Sequence, residues 1–236
     1  MSYHTNVLPA PLPENGPEND AVLLSGYIVE RKAYLFFKRL FDIFFSLLFI
    51  TFILSWLVPL VGLIIFLDSK GAVFFRQKRI GKHGRSFRCL KFRTMKANEE
   101  ADEKQAEEDD ERITRVGKFL RKTNIDEFPQ FVNVFLGQMS IIGPRPHMIT
   151  DCIRFSFVIP AYDFRTLVRP GITGLAQVKG YHGVTVDYES IFIRYHWDSE
   201  YIRNASFWLD LKILFLTMLE CVINVIYLSY RIIKGS

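Results

Sequence analysis

The sequence predicts an α+β protein: a small, mostly helical domain with a short β-hairpin, anchored to a membrane by a kinked, re-entrant N-terminal helix and by interfacial amphipathic helices. Three observations lead to this prediction. Residues 43–67 carry no charge. Residues 71–95 read as two extended segments around a glycine-containing turn. Basic residues then follow at helical spacing from Arg115. The predicted divisions are a polar, disordered extension at residues 1–33, the membrane helix at residues 34–70 and the folded domain at residues 71–236.

Composition favours a membrane-associated protein with anionic partners. The chain has 236 residues, 49% of them hydrophobic, and a net charge of +5. Residues 99–111 carry −8, so the rest of the chain carries +13. A basic body suits anionic lipid headgroups or phosphorylated substrates. Nucleic acid is the alternative partner, but the sequence shows no recognition motif for it, and such modules rarely need a long uncharged run.

Cysteine usage and the start of the chain indicate the compartment. Cys89, Cys152 and Cys221 are odd in number, widely spaced and outside any metal-binding pattern, which predicts a reduced, cytosol-facing protein. Residues 1–20 are polar and rich in proline. Because no basic stretch leads there into an apolar one, they predict a disordered tail and not a signal peptide.

The uncharged run at residues 43–67 predicts a membrane helix. Its 25 residues would form a helix of about 37 Å, enough to cross a hydrocarbon core of about 30 Å. A straight span is therefore the simplest interpretation. However, both flanks are basic, whereas the positive-inside rule expects that bias on one side. Pro59 also cannot donate to the carbonyl of Ser55, which predicts a kink. A helix that bends at Pro59 and returns would leave both flanks in the cytosol.

A second apolar stretch, residues 213–233, is not expected to span the membrane. Glu220 lies near its middle, and a charge at that depth is costly in lipid. We therefore expect a helix that lies at the membrane interface or packs on the domain. The acidic residues 97–112 are expected to be helical or flexible and solvated.

The pair Asp126-Glu127 is the strongest candidate for chemistry. Two adjacent carboxylates among cations can hold a metal and present a nucleophile. The structural alternative is a capping box, Asn124 to Glu127, which would open a helix through Phe135. Even then, the unpaired N–H groups of a helix N-terminus would favour a phosphate near Asp126.

Two basic regions could bind that phosphate. The predicted hairpin with Lys96 contains nine lysines and arginines, which suit either a solvated face against lipid headgroups or a phosphate site. Farther on, Pro144 and Pro146 bracket Arg145 and restrict the backbone on both sides. Arginine suits bidentate phosphate binding, although this tripeptide alone is a weak signal. Residues 169–174 are rich in turn-forming residues and predict a rigid loop.

Taken together, these segments resemble the bacterial sugar transferases, the monotopic phosphoglycosyl transferases that start glycan assembly on a polyprenyl phosphate. The resemblance covers residues 37–220, in order and with similar spacing. The matching segments, besides Asp126-Glu127, are residues 38–42, 73–81, 91–95, 112–117, 133–135, 139–146, 169–178 and 209–213.

The resemblance implies a reaction. A sugar 1-phosphate would move from a UDP-sugar to undecaprenyl phosphate, releasing UMP, as the first membrane step of exopolysaccharide, capsule, O-antigen or glycoconjugate synthesis. Asp126 is implied as the nucleophile that forms a covalent phosphosugar intermediate. Glu127 is implied as the second acid, and the two carboxylates would hold Mg²⁺. Membrane lipids are further implied partners, and the implied location is the cytoplasmic face of a bacterial inner membrane. A homo-oligomer is compatible with the sequence.

The resemblance also assigns roles to residues outside the acid pair. The basic residues Lys91, Arg93, Arg121 and Arg145 would contact phosphate or nucleotide. Asp198 would belong to the same substrate site, although a structural ion pair is an equal alternative for it. Asp210 matches a further acid of the family, with the same alternative. Residues 181–193 are expected to select the sugar, but no code for that choice can be read.

The sequence departs from the family pattern at the expected kink, where Val58-Pro59 stands in place of Ser-Pro. The serine hydroxyl normally helps to satisfy a carbonyl that the proline frees. Ser55, one turn earlier, is expected to compensate. A non-catalytic alternative is a membrane-surface module that recruits glycan-assembly partners through its basic face, but the intact acid pair disfavours it.

Overall fold

The computed structural model describes residues 31–96, 110–181 and 188–234. The predicted extension up to residue 30, most of the acidic stretch and residues 182–187 of the expected sugar-selecting segment lie outside these ranges. Within them the protein is mostly helical with two short two-stranded sheets, which confirms the α+β prediction. The helices are α1 (Lys32–Phe49), α2 (Ser55–Asp68), α3 (Arg115–Lys122), α4 (Gln130–Phe135), α5 (Ile149–Ser156), α6 (Leu175–Val178), α7 (Tyr188–Asn204) and α8 (Phe207–Lys234), and the strands are β1 (Phe74–Ile80), β2 (Ser86–Phe92), β3 (Ser140–Ile142) and β4 (Gly171–Thr173).

Helices α1 and α2 are joined by a π-helical turn, Ile50–Leu54, into one continuous helix, Lys32–Asp68, long and apolar enough to cross a membrane. Pro59 lies inside α2, but the departure from regular α-helix comes earlier, at the π-turn. The Ser55 hydroxyl donates to the carbonyl of Thr51 at 2.6 Å. The expected compensation is therefore wrong: the Ser55 hydroxyl serves the π-turn and not the carbonyl that Pro59 frees.

The long helix lies along the domain. Asp42 of α1 is buried and accepts hydrogen bonds from the Ser140 hydroxyl at 3.1 Å and the Ile141 N–H at 2.9 Å. Lys38 forms a salt bridge of 2.8 Å with Asp210 of α8. Apolar side chains of the π-turn and of α2 are buried in one cluster with residues of β2 and α3, namely Leu54, Leu57, Val61 and Ile65 with Phe92 and Leu120. Both halves of the helix are thus fixed to the same body.

The opposite face of the long helix is apolar and exposed. Its large side chains include Phe36, Phe44, Phe52, Trp56, Leu63 and Leu67. Helix α8, which contains the second apolar stretch, packs on the domain through the fully buried Ile213 and exposes Trp208, Phe215, Met218 and Ile226. An exposed apolar surface of this extent is typical of a membrane contact.

The hairpin prediction is confirmed. Strands β1 and β2 pair antiparallel from Phe74 opposite Phe92 to Ile80 opposite Ser86. Strands β3 and β4 pair in parallel, and a glycine permits their close approach. A Cβ atom on Gly171 would lie 2.1 Å from the backbone nitrogen of Gly143, so no larger residue fits there without moving the backbone. This contact fixes the start of the loop that carries Arg145.

The anchoring of α1 depends on Asp210, and its removal should destabilise the protein. Its carboxylate accepts hydrogen bonds from Tyr34, Lys38 and Tyr201, each at 2.8 Å. Asp210→Ala leaves the partly buried Lys38 ammonium unpaired, and we expect a loss of about 3 kcal/mol in the free energy of unfolding. Urea unfolding in detergent micelles measures this loss. Lys212→Ala, on the exposed side of α8, is the control and should change it by less than about 0.5 kcal/mol. Equal effects of the two substitutions would contradict the anchoring role.

Candidate active site

Asp126 and Glu127 lie in a single 3-10 turn, Ile125–Glu127, directly after α3. The preceding residue, Asn124, has a left-handed backbone with φ of +56°, a conformation that asparagine tolerates better than most residues. The Asn124 side chain makes no capping hydrogen bond, and α4 begins only at Gln130. The capping-box interpretation is therefore wrong, and the Glu127 side chain serves another purpose.

Glu127 is anchored by two cations from distant parts of the chain. The Lys91 ammonium at the end of β2 donates to Oε1 at 2.6 Å. The Arg145 guanidinium donates to Oε1 at 2.6 Å and to Oε2 at 3.2 Å, a bidentate arrangement. Burial alone would raise the pKa of Glu127, but the charges of Arg145 and Lys91 outweigh it and hold that pKa well below its usual range. Glu127 is thus a fixed negative charge.

Asp126 is buried, with 8% of its surface exposed, but it is not anchored. Among the described residues, no side chain or backbone N–H donates a hydrogen bond to its carboxylate. Burial raises the pKa of Asp126 to about 6; the charge of Lys91 opposes this shift, and the charge of Glu127 adds to it. Near neutral pH the Asp126 carboxylate is therefore largely ionised, and its oxygens are available for a substrate or a metal.

Arg121 adds a third cation beside Asp126. It lies in the last turn of α3, and its Nε donates to the Thr94 hydroxyl at 2.9 Å. Its charge lowers the pKa of Asp126. The approach of α3 requires a glycine, because a Cβ atom on Gly117 would lie 2.0 Å from the Thr94 carbonyl oxygen. Thr94 lies in the matching segment 91–95, but the sequence assigned it no role; in the structure it positions Arg121.

The loop around Arg145 is held through its carbonyl groups. The Pro144 carbonyl accepts a hydrogen bond from the Gly171 N–H at 2.9 Å. The Arg145 carbonyl accepts from the guanidinium of Arg165 at 2.8 Å, and the Pro146 carbonyl accepts from Arg79 at 3.2 Å. The prolines restrict the backbone, as the sequence predicts, and these three bonds fix its place against the domain.

Two residues expected at the substrate site make their contacts elsewhere. The substrate role of Arg93 stays a prediction, and the structural ion pair given as the equal alternative for Asp198 is present. Arg93 donates to the Ala72 carbonyl at 2.6 Å, to the Ser69 hydroxyl at 2.8 Å and to the Ser69 carbonyl at 2.7 Å. It therefore fastens the end of α2 to the segment after β2. Asp198 of α7 is buried and forms a salt bridge of 2.7 Å with Arg165. Neither side chain joins the contacts of Asp126 and Glu127; both make structural contacts.

The residues of the site fit a magnesium ion only with help from a substrate. Within the described ranges, no group of three or more histidine, cysteine or acidic residues could hold a metal. Both oxygens of Glu127 already accept hydrogen bonds from cations, whereas no described residue donates a hydrogen bond to the Asp126 carboxylate. Mg²⁺ usually takes one or two carboxylates and completes its octahedral shell with substrate phosphates and water. The Asp126 carboxylate can supply such a ligand.

Comparison with known proteins gives a consistent result. Residues 33–224 match the family model described as bacterial sugar transferase. A Klebsiella pneumoniae protein, UDP-glucose:undecaprenyl-phosphate glucose-1-phosphate transferase, is 46% identical over 189 residues, which are 80% of this chain and 40% of that protein. An Aeromonas hydrophila protein, UDP-N-acetylgalactosamine-undecaprenyl-phosphate N-acetylgalactosaminephosphotransferase, is 44% identical over 194 residues, 82% of this chain and 45% of that protein. The chain thus spans less than half the length of these two relatives.

A shorter relative matches over most of its length. The exopolysaccharide production protein PSS of Rhizobium leguminosarum bv. phaseoli is 40% identical over 188 residues, which are 78% of this chain and 94% of that protein. The residues that match the family model, 33–224, include the acid pair, its cations and nearly all of the long apolar helix.

The buried charge of Asp126 should cost stability, so its removal should stabilise the protein. The folded-state pKa is about 6 and the ordinary value is 3.8, so the wild type loses stability as the pH rises from 4 to about 7. Asp126→Asn removes this cost, and we expect a gain of up to about 3 kcal/mol in the free energy of unfolding at pH 7.5. The gain should fall below about 1 kcal/mol near pH 4, because Asp126 is then protonated in the folded state and close to half protonated in the unfolded chain.

Urea unfolding of the wild type and Asp126→Asn at pH 4.0, 5.5 and 7.5 measures this difference. Asp163→Asn, at an exposed aspartate, is the control and should show no comparable gain at any pH. An Asp126→Asn protein less stable than the wild type at pH 7.5 would contradict the raised pKa.

Proposed function

Because the chain belongs to the bacterial sugar transferase family, we propose that it transfers a sugar 1-phosphate from a UDP-sugar to undecaprenyl phosphate and releases UMP. Two of the matched relatives carry the names of such transferases, and they differ in the sugar, glucose in one and N-acetylgalactosamine in the other. The observation that carries the proposal is the difference within the acid pair. Two cations anchor Glu127, whereas no group in the described part of the chain donates a hydrogen bond to the Asp126 carboxylate.

The proposed nucleophile is Asp126. One of its carboxylate oxygens attacks the phosphorus that bears the sugar, and the bond from that phosphorus to the bridging oxygen of UMP breaks. A phosphosugar–aspartate intermediate forms, and UMP leaves with the bridging oxygen. A phosphate oxygen of the lipid then attacks the same phosphorus, and the bond to Asp126 breaks. The carboxylate is largely ionised near neutral pH, so it needs no separate base to activate it.

The remaining charged groups neutralise and orient phosphates, which is the main requirement of phosphoryl transfer. Arg121, Lys91 and Arg145 place three positive charges around the acid pair. Glu127 holds the latter two in position before substrate arrives. A bound Mg²⁺ would supply further neutralisation of the diphosphate. Asp126 would hold this ion together with the donor phosphates, and Glu127 is less available as a ligand because its oxygens already accept three hydrogen bonds from cations.

The proposal divides catalysis into two half-reactions at one site. A soluble donor and a membrane-bound acceptor therefore never need to bind together.

Release of UMP that depends on undecaprenyl phosphate would exclude the non-catalytic alternative of a recruiting module. The two names of matched transferases leave the sugar undetermined, and a panel of UDP-sugars is needed to identify it.

The site is proposed to face the cytoplasm from a bacterial inner membrane, with the long helix re-entrant. Its first half contacts the domain through Lys38 and Asp210 at 2.8 Å. Its end contacts the same domain, where Arg93 holds the Ser69 carbonyl at 2.7 Å. A straight span would carry the two ends to opposite sides of the bilayer, and one of these contacts would have to break.

The covalent step can be tested without the lipid acceptor. Purified protein incubated with a UDP-sugar labelled at its β-phosphate, then denatured, should retain about one label per active molecule, because the second half-reaction cannot occur. Asp126→Asn should retain none. Intact-protein mass spectrometry after a mild quench measures the added mass. Label retained by Asp126→Asn protein would contradict the assigned nucleophile, and Asp163→Asn should behave as the wild type.

The re-entrant arrangement predicts that both ends of the long helix are labelled from the same side. Lys32 and Lys70 are exposed, so single cysteines at these positions, with the three native cysteines replaced by serine, should react equally with a membrane-impermeant maleimide. We expect reaction in inside-out vesicles and none in intact spheroplasts. Detergent-lysed membranes, where both positions should react, are the control. Labelling of the two positions from opposite sides would establish a straight span.

A further inference from the structure

A buried polar cluster lies directly behind the loop that carries Arg145. At its centre is Arg165, whose side chain is 6% exposed. Its Nε donates to Asp198 of α7 at 2.8 Å, and a terminal nitrogen donates to the Tyr162 hydroxyl at 3.0 Å. The other terminal nitrogen lies 2.8 Å from the Arg145 carbonyl oxygen and 3.3 Å from His147 Nε2. Every nitrogen of the guanidinium therefore has a partner.

The histidine in this cluster is neutral. Burial and the nearby charges of Arg165 and Arg194 lower the pKa of His147 well below its ordinary value. Its Nδ1 lies 2.5 Å from the Tyr162 hydroxyl. A neutral ring keeps one nitrogen as an acceptor, so Nε2 can accept from Arg165. The cluster thus holds both the carbonyl of Arg145 and the ring two residues later.

Stability alone does not explain a buried ion pair at this place. Apolar residues of similar volume are often as stabilising as a buried salt bridge, because the desolvation of two charges is costly. A planar guanidinium, however, offers donors in fixed directions that no apolar side chain or lysine reproduces. Here those directions lead to Asp198 on one side and to the active-site loop on the other.

We propose that Arg165 and Asp198 are positioning residues for the transfer reaction: they fix the backbone of Arg145, and through it Glu127, without contact with substrate. The chain of contacts is continuous. Asp198 orients Arg165, Arg165 holds the Arg145 carbonyl, and the Arg145 side chain holds both oxygens of Glu127. This inference rests on the proposed function, because the position of the loop is tested through its effect on the rate of UMP release.

A double-mutant cycle separates positioning from simple stability. Arg165→Lys, Asp198→Asn and Tyr162→Phe are each made in the wild type and in an Arg145→Lys background. Misplacement of a catalytic group by about 1 Å can cost about 100-fold in rate. We therefore expect kcat to fall about 10- to 100-fold for Arg165→Lys and Asp198→Asn in the wild type. In the Arg145→Lys background the further loss of kcat should be less than about 3-fold, because the guanidinium that the cluster positions is already absent.

Tyr162→Phe removes only one hydroxyl from the cluster and keeps its volume. It is the mildest variant and should show a smaller loss of kcat with the same dependence on Arg145. It therefore tests the proposal even if the two charge variants fail to fold. Initial rates of UMP release are measured with undecaprenyl phosphate and the best donor among UDP-glucose, UDP-galactose and UDP-N-acetylgalactosamine.

Asp210→Asn is the matched control. Asp210 is also a buried acid with a cationic and a tyrosine partner, Lys38 and Tyr34, and both of these belong to α1 and not to the Arg145 loop. Asp210→Asn should lower kcat by the same factor in the wild type and in the Arg145→Lys background. The proposal would be overturned if Arg165→Lys, Asp198→Asn and Tyr162→Phe each lowered kcat by the same factor in the Arg145→Lys background as in the wild type. A wild type that releases no UMP would instead overturn the proposed function, and the positioning role with it.

Discussion

The structure depends on the pairing of one largely buried acid with two cations. Glu127 lies in a short 3-10 turn between α3 and α4, and its largely buried carboxylate would be costly there if it were alone. Lys91 and Arg145 offset that cost from β2 and from the loop after β3. Because each of the three side chains comes from a different segment, the pairing forms only when the hairpin, the acid turn and the Arg145 loop are all in place. Asp126 beside them is then left with an ionised and unshared carboxylate.

The same strand end connects the site to the membrane. Lys91 and Arg93 are two residues apart, but their side chains have different partners. Lys91 donates to Glu127 of the acid pair, and Arg93 donates to the Ser69 carbonyl at the end of α2. The apolar face of the long helix therefore has a fixed position relative to Asp126. This arrangement also explains why the strongly basic hairpin need not bind phosphate with every cation.

Patterns local in sequence predicted the larger elements. The uncharged run predicted the long helix, the extended segments around the Lys82 turn predicted the hairpin, and adjacent carboxylates identified the acid turn. Local reasoning failed where a distant partner decides. The capping box was wrong because Glu127 pairs with residues 36 and 18 positions away, and the local pattern contains no sign of them. Arg93 and Asp198 matched family positions, but their contacts with Ser69 and Arg165 emerge only in the folded chain.

The central claim is that Asp126 must lose its proton before it attacks, while Glu127 stays ionised throughout. The pH dependence of the first half-reaction tests this claim most directly. Rapid-quench measurement of the UMP burst is made without lipid and at UDP-sugar concentrations well below saturation, where the rate reports ionisation of the substrate-free protein. The rate should fall at low pH through one ionisation with a pKa near 6. A rate that stays constant down to pH 4.5 would contradict the account, because it would mean that the attacking group is not the buried carboxylate at position 126.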